Sequence, residues 1–376
     1  MTSRSISLVS LLSLTALMAC SGARPTDLEN GVFEGIPAEE PTTPTPNDPS
    51  NPDPGNPDPK NPKPKSCTPD VSAFDEPGNG LDEDCNGKAD DESFACDTGL
   101  SLQSNDPVEA AKAIGLCKQA VGTKGWGVLS ARYVRPDGVA LSASASLGYG
   151  LLPSFGVNKP IVGGTLLALS SGAARAPDQV GYQKPTDGID RGYTHDLPAG
   201  LGTKSACPGV TAGAAHDGVA LEVKVRVPSN ARSLSFAHQF FTPDYKEYVC
   251  TQYNDRFVVM MSPKPAGSED GNLVVDGEGV GLSASSSALI RSCQPASTKG
   301  LTYACPLGVS ALAGTGFENH ASTGWLKTTT PVIPGSEITL RFAVWDSADG
   351  TFDSTVLVDG FVFSSTAAAA PTTVPR

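Results

Sequence analysis

Apolar and polar positions alternate most cleanly at Val219, Leu221, Val223, Val225 and Val227, which are separated by Ala220, Glu222, Lys224 and Arg226. A period of two places successive side chains on opposite faces, so this run reads as a half-buried strand. Leu234, Phe236, His238 and Phe240 repeat the pattern, and residues 256–261, 337–345 and 355–363 read as further strands. Gly, Pro, Asn and Asp punctuate them. One helix is expected over 107–120: Asp106 is placed to cap it, Pro107 sits at its first position with Glu109 close behind, and 110–118 are good helix formers. Many strands with little helix predict a mainly β chain, an antiparallel, jelly-roll-like β-sandwich forming one domain over 97–365. Residues 366–376 read as a disordered tail.

The first residues follow a different pattern. Arg4 precedes a largely apolar run over 6–18 that is too short to span a bilayer comfortably, which is the design of a signal peptide. It ends in Leu17-Met18-Ala19-Cys20, which resembles the lipobox of bacterial lipoproteins. The resemblance implies cleavage after residue 19, lipidation of Cys20 and a membrane partner; Ser21 in the following position implies the outer membrane. Residues 20–66 then read as a disordered, Pro-rich tether, with Asn51-Pro52-Asp53-Pro54 echoed by Asn56-Pro57-Asp58-Pro59. Such a spacer is extended, at ~3.1 Å per residue.

Composition narrows the choice of partner. The formal charge is -13, so nucleic acid is not expected, because phosphate contacts need Lys and Arg. Divalent cations suit the acidic balance better. With Cys20 set aside, eight cysteines remain, an even number in an exported chain. Pairing of neighbours is the simplest of many connectivities: Cys67 with Cys85, Cys96 with Cys117, Cys207 with Cys250, and Cys293 with Cys305.

The sharpest local chemistry lies in a segment over 67–96. With Asp82 as position 1, Asp84 is 3, Asn86 is 5, Gly87 is 6, Lys88 is 7 and Asp90 is 9. Hard oxygens at alternate positions can wrap one cation, and Gly at the sixth permits a sharp turn. Position 12 is Ser93 where an EF-hand has Glu, so Asp91 or Glu92 would close the site. The segment is similar to the acidic repeats of thrombospondin type 3 modules. It most resembles the metal-binding motif of MopE-like bacterial surface proteins, through Asn79-Gly80 and the run from Asp82 to Gly87. The ligand set is therefore Asp82, Asp84, Asn86, Lys88 through its backbone carbonyl, Asp90, Asp91 and Glu92. Calcium is expected; copper enters only through that family's name, since neither His nor Met lies nearby.

A second resemblance covers the strands. His216-Asp217-Gly218, Ser235-Phe236, Phe240-Phe241, Tyr245, Tyr248 and the run from Tyr253 to Phe257 are similar to the choice-of-anchor L domain of bacterial surface proteins. So are Thr323 to Leu326, Leu340 to Ala343, and the acidic stretch through Asp346, Asp349-Gly350 and Asp353 to Asp359. The likeness runs over roughly 120–364 and implies a β-sandwich at the cell surface, with no reaction attached. Asp346, Asp349 and Asp353 fall between two expected strands and could join Asp244, Glu247 and Asp255 in a second calcium site. Turn chemistry is the preferred reading of these three.

Enzymatic signatures are absent: there is no G-x-S-x-G elbow, no H-E-x-x-H, and no phosphate- or dinucleotide-binding glycine pattern. His238 shares a face with Phe236 and Phe240 and reads as a core or rim residue. The expectation is a non-catalytic, lipid-anchored display or adhesion module with an unidentified extracellular ligand or surface partner. A carbohydrate- or other ligand-binding module is the second reading and would expose an aromatic platform at Trp126, Trp325 or Tyr245. An extracellular hydrolase is the third, and would need converging carboxylates.

Overall fold

A computed structural model describes residues 67–202 and 204–376. The signal peptide over 1–19, Cys20 and the tether over 20–66 lie outside the described residues. Among the described residues one α-helix, α1 (Pro107–Ala113), is followed by β1 (Gly127–Val134), β2 (Tyr149–Leu152), β3 (Leu166–Ser170), β4 (Thr194–His195), β5 (Ala215–Arg226), β6 (Ser233–Thr242) and β7 (Arg256–Ser262), with short 3-10 helices at Ala143–Gly148 and Ser310–Leu312. Then come β8 (Leu282–Ser283), β9 (Ala296–Thr298), β10 (Leu301–Tyr303), β11 (Ala321–Ser322), β12 (Leu326–Pro331), β13 (Glu337–Ser347), β14 (Thr355–Ser364) and β15 (Thr372–Pro375).

Two antiparallel sheets face each other. One runs β1-β5-β13-β7-β8 with β4 beside β5; the other runs β15-β12-β6-β14-β3-β2 with β11 beside β6. β9 and β10 form a separate hairpin. The chain passes between sheets from β5 to β6, β6 to β7, β12 to β13 and β13 to β14, so each sheet is stitched to the other through its central strands. The fold is the β-sandwich that the alternating runs predict.

The alternation explains the core. Val219, Leu221, Val223 and Val225 of β5, Leu340, Phe342 and Val344 of β13, and Phe257, Val259 and Met261 of β7 meet Leu234, Phe236 and Phe240 of β6 and Val356 and Val358 of β14. The rings of Phe236 and Phe342 cross between the sheets edge to face, with centroids 5.2 Å apart. His238 lies in this layer, fully buried between Phe236 and Phe257, and bonds Thr328 Oγ1 at 2.9 Å. Burial pushes its imidazole down to about 3, so it is a neutral core residue.

The two outer faces differ. On the β5 sheet, Glu222 lies opposite Arg132 of β1 and Arg341 of β13, and its carboxylate bonds both. The outer face of β6 carries apolar Phe241, and loops from elsewhere cover it with Phe155, Leu312 and Phe317. That cover is why β6 is buried along its whole length.

Two expectations change. The helix stops at Ala113 because Gly115 takes a φ of +101°, and a Cβ there would come within 3.0 Å of the Phe361 carbonyl oxygen. The segment expected as a disordered tail contains β15, which pairs with β12 from Leu326↔Pro375 to Thr329↔Thr372. The β-branched run Thr372-Thr373-Val374 covers an edge of β12 that would otherwise be open.

Candidate functional site

The acidic segment forms no regular helix or strand. Its shape is set by the Cys67–Cys85 disulfide and by carboxylates accepting backbone amides. Asp82 Oδ1 and Oδ2 accept from Asn86 and Gly87, both at 3.0 Å, and Asp84 Oδ1 accepts from Asn86 at 2.9 Å. Gly87 adopts a φ of +95°, the left-handed turn that the sixth loop position requires.

Ligand atoms of Asp75, Asp82 and Asp84 lie within 4.8 Å of one another. Asp75 is fully buried; its Oδ1 accepts from the Glu83 and Asp84 amides at 2.8 and 3.1 Å, while its Oδ2 has no partner among the described residues. A buried, unsatisfied carboxylate oxygen beside two more carboxylates is an environment a hard cation would satisfy. Cys85 is oxidised and offers no thiolate.

The expected ligands divide. Asp82 and Asp84 converge, and Asn86 stands between Asp84 and Asp91, donating to both. Asp90 turns away: its oxygens accept the amides of Gly78, Asn79 and Gly80 at 2.8, 3.2 and 3.0 Å. Glu92 pairs with Lys118 Nζ at 2.7 Å, and Lys88 is exposed. Asp75 lies outside the D-x-D-x-N-G register, so the motif does not single it out; its one signal is a carboxylate directly after Phe74, an apolar residue in a polar segment.

Phe74 bolts this segment to the sandwich. Its ring lies 6.1 Å from Trp126 and 6.3 Å from Phe363, both edge to face. Asn230 accepts from the Phe74 amide at 3.1 Å and donates to its carbonyl at 2.8 Å. Trp126 Nε1 donates to the Ala73 carbonyl at 2.6 Å, and Glu76 accepts from Ser364 Oγ at 2.6 Å. The segment over 67–96 and the sandwich over 97–365 therefore form one compact unit rather than two modules. The remaining disulfides, Cys96–Cys117, Cys207–Cys250 and Cys293–Cys305, complete the pairing of neighbours.

A second acidic cluster lies at one end of the sandwich. Asp244 and Asp255 come from the β6–β7 connection, Asp346 from β13, and Asp353 from the β13–β14 loop; all four are buried. Asp255 Oδ1 accepts the Ser347 amide at 3.0 Å, its Oδ2 accepts Ser354 Oγ at 2.7 Å, and its own amide donates to Asp244 Oδ2 at 3.1 Å. Burial raises Asp255 and Asp353 to about 7, with Arg191 pulling Asp353 the other way. Burial and then the neighbouring Asp255 carboxyl push Asp244 and Asp346 well above the usual carboxylate range.

The three residues read as turn chemistry separate here. Asp349 does cap its own loop, accepting Thr351 N at 3.2 Å and Thr351 Oγ1 at 3.1 Å. Asp346 and Asp353 are buried instead, and Glu247 stands exposed. A pocket of about 210 Å³ opens beside Asp244 and Asp255 of this cluster, lined also by Tyr248, Tyr253, Asp349 and Phe352. Of the aromatic platform expected at Trp126, Trp325 or Tyr245, Trp126 and Tyr245 are core residues, and Trp325 packs partly buried against the cluster that contains Phe241.

A model of the choice-of-anchor L domain matches residues 168–364, more than half of the chain. No curated protein and no solved structure gives a match. The matched span runs from β3 to the end of β14 and so contains the central strands of both sheets. The edge strands β1, β2 and β15 fall outside it. The family is one of cell-surface modules and is not an enzyme family. The chain belongs to the choice-of-anchor L domain family.

Proposed function

We propose that this protein is a lipid-anchored display or adhesion module of the bacterial outer membrane, held by lipid on Cys20 and raised from the surface by its Pro-rich tether. Membership of a surface-module family carries the reading. The lipobox-like Leu17-Met18-Ala19-Cys20 supplies the anchor in place of a spanning segment, and no helix among the described residues is long and apolar enough to cross a membrane. The MopE-like segment takes calcium on Asp75, Asp82 and Asp84, where the cation is structural: it orders the loops of the segment over 67–96. A ligand-binding role is the second reading, favoured by the partly exposed Tyr248, Tyr253 and Phe352 around the loop-end pocket.

Cys20→Ser tests the anchor. The wild-type protein is expected in the outer-membrane fraction and accessible to protease on intact cells, while the variant is released into the soluble extracytoplasmic fraction. A variant that stays with the membrane would refute lipid anchoring at Cys20.

A further inference from the structure

We propose that the loop end of the sandwich holds a second hard divalent cation of the calcium class, bound between the two sheets by Asp346, Asp255 and Asp353. The period-two pattern of the core strands leads directly to this place. On β13 the core-facing positions run Leu340, Phe342, Val344, and the next is Asp346. On β7 they run Met261, Val259, Phe257, and two residues further back is Asp255. Val344 pairs with Phe257, so the same register brings Asp346 opposite Asp255. The facing sheet follows suit: Ser171 lies two beyond Leu169 and Ser354 two before Val356. The last layer of an apolar core is thus built of buried oxygen donors.

That layer lacks a counter-charge. Asp346 is fully buried, and among the described residues neither of its carboxylate oxygens has a hydrogen-bond donor; Asp353 Oδ1 has none either. Asp346 instead faces the Asp255 and Asp353 carboxyls and the Ser171 hydroxyl. Among the described residues no ion pair reaches Asp244, Asp255, Asp346 or Asp353. Arg191 is the nearby cation, but its guanidinium donates to the carbonyls of Ser171, Gly172 and Asp217. Like charges opposed across strands are unfavourable, and buried unpaired carboxylates more so. A divalent cation relieves both, and an all-oxygen donor set suits calcium rather than a thiolate- or imidazole-seeking metal. The three carboxylates are more widely spaced than those of Asp75, Asp82 and Asp84, so closure around the ion would pull the β13–β14 loop inward. It would tie β7 and β13 of one sheet to the loops after β3 and before β14 of the other, and its ligand Asp255 also lines the pocket with Tyr248 and Phe352.

The test is a calcium titration by calorimetry of the oxidised mature chain carrying Cys20→Ser and Asp82→Ala/Asp84→Ala, which removes the first site. One calcium per molecule is expected to remain, and adding Asp346→Asn is expected to weaken it at least tenfold while a thermal melt shows the protein folded. Asp353→Asn serves as the second variant should Asp346→Asn fail to fold, with the same weakening expected. Absence of binding at millimolar calcium in the Asp82→Ala/Asp84→Ala background, or binding unchanged by Asp346→Asn and by Asp353→Asn, would overturn the proposal. The first site fails separately, if wild-type binding is unaltered by Asp82→Ala/Asp84→Ala.

Discussion

Replacing Phe74 with alanine will destabilise the folded unit by about 3–5 kcal/mol, the cost of deleting a fully buried aromatic side chain. The effect is large because Phe74 is the apolar peg of an otherwise polar segment, inserted between Trp126 and Phe363. Trp126 and Phe363 also contact each other, with centroids 5.9 Å apart, so truncation leaves a cavity whose walls cannot easily collapse. Backbone bonds through Asn230 keep the segment in place while its peg is gone. Urea unfolding followed by tryptophan fluorescence and by circular dichroism should give one shared transition at a lower midpoint. Two separated transitions, or a midpoint shift worth less than about 1 kcal/mol, would mean that the acidic segment is an independent module.

In calcium-free buffer the protein will lose stability as pH rises from about 6.5 to about 8. Burial raises Asp255 and Asp353 to about 7, and Asp244 and Asp346 stand well above their ordinary values. The folded state therefore binds more protons than the unfolded chain, in which carboxyls titrate near 4, and stability falls with pH until these groups ionise. Asp217, also raised by burial, works in the same direction, and Arg191 partly offsets it at Asp353. His238, His195 and His320 are depressed by burial and work the opposite way. Their contribution is half-titrated at about pH 6.5, the unfolded imidazole's own value, and complete about one pH unit higher, so they offset part of the loss at the start of this interval without reversing it. Thermal melts in chelator should show a lower melting temperature at pH 8 than at pH 6.5, flattened by Asp346→Asn. Millimolar calcium should raise the melting temperature more at pH 8, where it does not compete with protons. A melting temperature that climbs over this interval in chelator would contradict the buried-acid layer.

Legibility in the sequence followed periodicity. β5, β6, β7, β13 and β14 are seven to twelve residues long and alternate on at least one face, so the two central layers could be read directly. β2 and β3 could not: Tyr149–Leu152 and Leu166–Ser170 are buried on both faces and show no alternation. β4, β8 and β11 have two residues each, below the length at which a period is visible. β15 is defined by the edge it covers, which depends on a strand more than forty residues earlier.

The candidate sites were half visible for a similar reason. Asp82 and Asp84 belong to a contiguous motif, whereas Asp75 enters through the fold of the segment, and Asp90 and Glu92 are diverted to Gly80 and Lys118. Asp346 reads as turn chemistry because it stands at the start of an acidic, Gly-containing stretch. Counting two residues on from Val344 puts it in the core instead, and counting two back from Phe257 puts Asp255 beside it.

The most direct measurement is a calorimetric calcium titration of the oxidised mature chain carrying Cys20→Ser, compared with the same chain carrying Asp75→Asn. Asp75 lies outside the recognisable motif, and of the three ligands of this site it is the one with a buried oxygen that lacks a partner among the described residues. The predicted result is that Asp75→Asn abolishes one calcium-binding event and lowers the calcium-induced rise in melting temperature. An isotherm unchanged by Asp75→Asn would contradict the assignment of Asp75, Asp82 and Asp84 as the structural calcium site.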